Sequence, residues 1–177
     1  AQGGFDYTIT DDLTLKGNVT FKNNNQGTST FMNSLAGMKN YVTGEPTTVS
    51  GWFATNSLTE ANVKESELSQ RLFLDYEKTF GAHDLSSLIG YEEIHNNLKY
   101  VSAKREGFFN NDLRDLNAGG ADNQQISGYR EEWRLRSFFG RVNYSFDDRY
   151  LLQANLRIDG SSRFGDGNRY GFFPSVS

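Results

Sequence analysis

Residues 137–160 read SFFGRVNYSFDDRYLLQANLRIDG. Taken two at a time, Gly140, Val142, Tyr144 and Phe146 fall on one side and Arg141, Asn143 and Ser145 on the other. After Asp147-Asp148-Arg149 the alternation restarts, with Tyr150, Leu152, Ala154, Leu156 and Ile158 against Gln153, Asn155, Arg157 and Asp159. Successive side chains of a strand point to opposite faces, so the stretch is two strands, each with an apolar and a polar face. No stripe near the helical period of 3.6 competes. The Asp-rich link suits a tight hairpin turn. Two settings give this alternation: a soluble sheet packed on a core, or a barrel wall with lipid on one side and water on the other. Arg141 and Arg157 on the polar face suit a wet lumen. Tyr144, Phe146 and Tyr150, apolar and beside the turn, suit an interfacial aromatic girdle.

The same period recurs upstream. Phe5, Tyr7 and Ile9 alternate with Asp6 and Thr8, and after Thr10-Asp11-Asp12 the set Leu13, Leu15, Gly17, Val19, Phe21 alternates with Thr14, Lys16, Asn18, Thr20, Lys22. Residues 68–78 and 85–104 read as two more strands around a short turn at 79–84, the second long enough to overshoot a bilayer. Three polar stretches, 23–65, 106–132 and 160–171, read as long loops, with a weak helical period at 59–68. Short turn and long loop alternate three times. That asymmetry belongs to outer-membrane barrels, whose turns are short on one side and long on the other. The expected fold is all-β: an antiparallel transmembrane β-barrel segment of six to seven strands, with 1–177 forming part of a single barrel domain.

Composition agrees. Among 177 residues there are 14 Phe, 9 Tyr and 18 Gly against 2 Pro and no Cys. Aromatics favour strands, and glycines favour turns and close strand approach. The net charge of −4 is mixed along the chain, which gives no nucleic-acid surface. No apolar run reaches the ~20 residues of a membrane helix, but barrel strands need only about 9–11. A mean hydropathy of −0.64 fits a porin-like wall as well as a soluble domain. Neither a signal peptide nor a closing strand is visible, and both ends are read as cut.

Catalytic chemistry finds no footing. Glu92-Glu93 and Glu131-Glu132 are neighbours on strands, so their carboxylates diverge rather than converge for acid–base work. His83 and His95 are read as solvated side chains, because a zinc site needs three or four convergent ligands. The Asp159-Gly160 and Asp166-Gly167-Asn168 pairs lack EF-hand spacing and suit turns. No nucleophile elbow, phosphate loop or dinucleotide fingerprint occurs. The expectation is no enzyme, no metal and no cofactor. Trp52, Phe53, Tyr129 and Trp133, read as lying in or beside long loops, are the candidate substrate-binding residues. Exposed aromatics there either stack on a ligand or pack the loop's own small core.

The run FFGRVNYSFDDRYLLQANLRIDGSSRFGDGNRYGFFPSVS carries a resemblance. Gly140, Arg141, Tyr144, Arg149, Tyr150, Leu151, Asp159, Gly160, Ser161, Ser162, Phe164, Asn168, Arg169, Gly171, Phe173, Pro174 and Ser175 match the barrel region of SusC/RagA-type TonB-linked outer-membrane proteins of Bacteroidetes. Residues 83–92 are similar more weakly. The resemblance implies a 22-stranded, plugged barrel that imports oligosaccharide, peptide or similar nutrients across the outer membrane. It also implies a SusD-like surface lipoprotein as lid, and coupling to the TonB complex through a plug segment that these residues do not include. Two other readings stay open: a passive outer-membrane porin, and a soluble all-β carbohydrate-binding or adhesin module.

Overall fold

The computed structural model describes residues 1–35, 37–47 and 54–177. Seven strands follow one another: β1 (Gln2–Thr10), β2 (Leu13–Met32), β3 (Ser57–Phe80), β4 (His83–Glu106), β5 (Gln125–Phe146), β6 (Tyr150–Ser161) and β7 (Tyr170–Val176). They form one sheet in the order β1-β2-β3-β4-β5-β6-β7, with no crossover. The hairpin read from the sequence is present residue for residue: Val142 pairs with Ala154 and Phe146 with Tyr150, antiparallel. Asp147 and Asp148 both adopt positive φ, 52° and 50°. Turns of that hand match the twist of the flanking strands, and Asp tolerates the conformation better than most residues. Gly81, at φ 63°, does the same between β3 and β4.

Strands run further than the pattern foretold. β3 and β4 have 24 residues each, and β2 has 20. The connections shrink accordingly to 33–56, 107–124 and 162–169. The stretch 59–68 is β3 rather than helix. Polar residues there meet polar partners across the sheet: Asn62 donates to Asn25 at 3.0 Å and Ser29 to Glu60 at 3.4 Å. Cross-strand hydrogen bonds of this kind support a strand with no apolar face.

The chain divides into two compact units. The first comprises Ala1–Asn23, Glu65–Asn97 and Glu131–Ser177. Here Val19, Val142, Leu152 and Leu156 are about half exposed, together with Phe5, Tyr7, Ile9 and Ile89. Its buried side chains are polar instead: Ser69, Glu92, Asn96 and Ser137. The second unit comprises Asn24–Lys64 and Leu98–Arg130. It holds the buried apolar side chains Leu58 and Phe108, with Phe31 edge-on to Phe108 at 5.3 Å. Asn56, also buried, donates to the carbonyls of Phe108 and Asn110 and accepts from the Phe108 N–H at 2.7 Å.

Candidate functional site

In the first unit the polar face is a bonded lattice. Lys16 meets Asp75 at 2.7 Å, Asn143 donates to Ser86 at 3.2 Å, and Arg141 donates to Asn155 at 2.8 Å. Its densest point is centred on Glu92, which is only 7% exposed. One carboxylate oxygen accepts from Arg71 Nε at 2.5 Å and the other from Arg157 at 3.4 Å. Arg157 also donates to both oxygens of Asp159, at 2.8 and 2.9 Å, and to Ser137 at 3.1 Å. Its guanidinium lies 5.3 Å from the centre of the Phe139 ring, which stands edge-on to Phe73. A carboxylate this buried requires such partners, because an unpaired one costs several kcal/mol. Two positive and two negative groups cancel, so the cluster is neutral as a whole. Arg71 keeps the outer fork of its guanidinium free of side-chain partners among the described residues, a donor set for carboxylates and carbonyls.

Glu93, the neighbour of Glu92, has other partners: Tyr91, and Arg136 at 3.5 Å. The two carboxylates diverge, as strand geometry requires.

The apolar face has two aromatic levels. Beside the short turns, His83 stacks on Phe80 at 5.1 Å and packs against Phe146 at 4.9 Å, and its Nδ1 is 2.7 Å from the Tyr144 hydroxyl. Phe146 in turn stacks on Tyr150. His83 is therefore part of this cluster rather than a solvated turn residue. At the other level Tyr91 packs on Phe138 at 5.1 Å, and the Tyr170 ring covers Gly160. Phe146 and Phe138 are eight residues apart on β5, about 27 Å along the strand. At a strand tilt of 35–45° that is a height of about 21 Å, close to the ~25 Å apolar band of a barrel.

Beyond the second level lie His95, Glu132 and Arg134. Glu132 accepts from His95 at 2.8 Å and from Arg134 at 3.0 Å. The His95 hydrogen bond first, and Arg134 second, hold its carboxyl below the usual range. Among the described residues no cluster of His, Asp and Glu has the makings of a metal site.

The sequence-derived candidates fare unevenly. Trp52 and Phe53 lie outside the described residues. Tyr129 and Trp133 stand on β5 rather than in a loop, because the strand begins at Gln125. Tyr129 packs on Tyr100 at 5.2 Å, and Trp133 lies under the Arg163 guanidinium at 4.9 Å. The Glu92 cluster was not among the candidates. Arg157 and Asp159, two apart on one strand face, were its visible half; Arg71 joins only through strand pairing.

A sheet without crossovers, apolar and exposed on one face, polar and ion-paired on the other, defines a wall segment of an antiparallel β-barrel. Comparison with known proteins carries this further. TonB-dependent receptor P3 of Formosa agariphila is 42% identical over 106 residues, 58% of this chain and 10% of the relative. TonB-dependent receptor SusC of Bacteroides thetaiotaomicron is 36% identical over 113 residues, 62% of this chain and 11% of the relative. The structure of the RagAB peptide transporter superposes with a TM-score of 0.82 and 28% identity, covering 99% of this chain and 18% of that one. No protein-family profile matches. The resemblance to the barrel region of SusC/RagA-type TonB-dependent proteins is thus borne out, and these relatives are receptors and transporters rather than enzymes. The chain spans about a tenth of the curated relatives it matches.

Proposed function

We propose that these residues form part of the wall of a TonB-dependent outer-membrane importer for a nutrient such as an oligosaccharide or peptide. The observation that carries the reading is the inverted polarity of the first unit: aliphatic and aromatic side chains exposed, Glu92, Asn96 and Ser137 buried. Water on both sides would favour the opposite arrangement, whereas lipid outside and water inside favours this one. The likeness to SusC and to the RagAB peptide transporter supports import as the activity and a SusD-like surface lipoprotein as partner. In this reading the polar face lines the lumen, and the Glu92 cluster holds Arg71 where cargo or a plug passes. The connections 33–56, 107–124 and 162–169 lie outside the cell, and the turns at 11–12, 81–82 and 147–149 face the periplasm. An antiparallel wall reverses at every connection, so each class of connection shares one side.

Single cysteines at Thr43, Asn117 and Asp148 of the full-length protein, probed on intact cells with a membrane-impermeant thiol reagent, test the arrangement. Thr43 and Asn117 positions label and Asp148 does not. Labelling at all three on intact cells contradicts the proposed sidedness.

A further inference from the structure

The apolar face of the first unit ends abruptly. On β5, alternation from Phe138 places Arg136, Arg134 and Glu132 on that face; on β4, alternation from Tyr91 places Glu93 and His95 there. On β4 and β5 charge thus replaces apolar surface within one step beyond the Tyr91–Phe138 level, while on β7 the Tyr170 ring stands in the row of Arg136. Arg136 meets Glu93 at 3.5 Å, Arg134 meets Glu132 at 3.0 Å, His95 shares Glu132 at 2.8 Å, and the Tyr91 hydroxyl donates to Glu93. Each guanidinium has five N–H donors and uses one nitrogen in these contacts. Both arginine side chains are about half exposed, and the Tyr91 hydroxyl lies beside the Arg136 guanidinium as well as Glu93. Their Cα atoms, two residues apart, are about 7 Å from each other, so two long side chains can close on one phosphoryl group. The planar fork of arginine matches phosphoryl oxygens two at a time, which a lysine pair does not.

We propose that Arg134 and Arg136 hold the phosphoryl headgroup of an anionic lipid whose acyl chains lie against Tyr91, Phe138 and Ile89. The inference rests on the membrane reading of the apolar face. The occupant is a lipid rather than a free anion because the arginine pair adjoins acyl-facing surface, with Ile89 two-thirds exposed directly below Tyr91 on β4. Glu93 and Glu132 have a double effect here. They aim the guanidiniums and they offset their charge, so the site holds the lipid weakly enough to exchange.

The test uses the full-length protein in phosphatidylcholine bilayers doped with spin-labelled phosphatidic acid, or with spin-labelled diacylglycerol of the same acyl chains. The wild type immobilises phosphatidic acid about fivefold more strongly than diacylglycerol, the effect expected of cations at a membrane surface. R134Q/R136Q brings the ratio to about one, while E93Q/E132Q raises it; a gain in the second variant is a result no folding defect produces. Equal immobilisation of the two lipids by the wild type, an unchanged ratio in R134Q/R136Q, or full displacement of phosphatidic acid by inorganic phosphate overturns the headgroup site and leaves the membrane reading standing. Absence of any immobilised lipid overturns both.

Discussion

The two units solve opposite problems with one kind of strand. The unit containing Leu58 and Phe108 buries apolar side chains and secures them with a hydrogen-bonded asparagine, as a water-soluble domain does. The unit containing Glu92 and Ser137 buries polar groups and exposes Val19, Val142, Leu152 and Leu156. Backbone pairing is the same in both. What differs is which side chains are withdrawn from the surface, and the difference shows where stability resides: in apolar packing for one, in hydrogen-bonded polar contacts for the other.

Four measurements press on that contrast. Leu58→Ala removes a fully buried side chain and should destabilise its unit by roughly 2–5 kcal/mol. Limited proteolysis should then cut 107–124 much faster while the wall strands stay protected. Val142→Arg, four residues from each aromatic level on β5, should cost about 2–4 kcal/mol for insertion, against under about 1 kcal/mol for Gln153→Arg on the other face. Denaturant refolding into vesicles measures both, and equal costs would erase the distinction between the faces. Asn56→Ala strands the Phe108 N–H and two carbonyls, for a loss of about 1–3 kcal/mol, read as faster amide exchange at Phe108.

The smallest effect concerns Glu132. Its pKa is depressed by His95 and then Arg134, so the contribution is present above the unfolded-state pKa and lost as pH falls through the lower folded value. The side chain is well exposed, which keeps the effect small. The Tm difference between wild type and E132Q should be slight at pH 7 and close below the ordinary carboxylate range.

Alternation made the wall legible in advance. Leu13 to Lys22 and Gly140 to Asp159 each have one apolar and one polar face, and period two is visible wherever the two faces differ in polarity. The pattern disappears in 23–30 and 59–65 because polar residues fall on both faces there. Asn25–Asn62 and Ser29–Glu60 hold those strands by hydrogen bonds that no hydropathy period marks. The same reason puts Tyr129 in, and Trp133 beside, a loop when read from sequence: β5 starts in polar residues. The Glu92 cluster required the register between β3, β4 and β6, which single-chain spacing does not contain.

The covered glycines carry a consequence for how such a wall diverges over time. A methyl group added to Gly17 would stand 2.2 Å from the Phe5 ring, one on Gly160 2.4 Å from Tyr170, and one on Gly90 2.2 Å from Phe139. Phe5 and Gly17 are direct partners across β1 and β2, as are Gly160 and Tyr170 across β6 and β7. Neither member of such a pair can change first without a clash or an uncovered backbone. Among related sequences the two positions should change together or not at all, a covariation that reads out strand register without any structure.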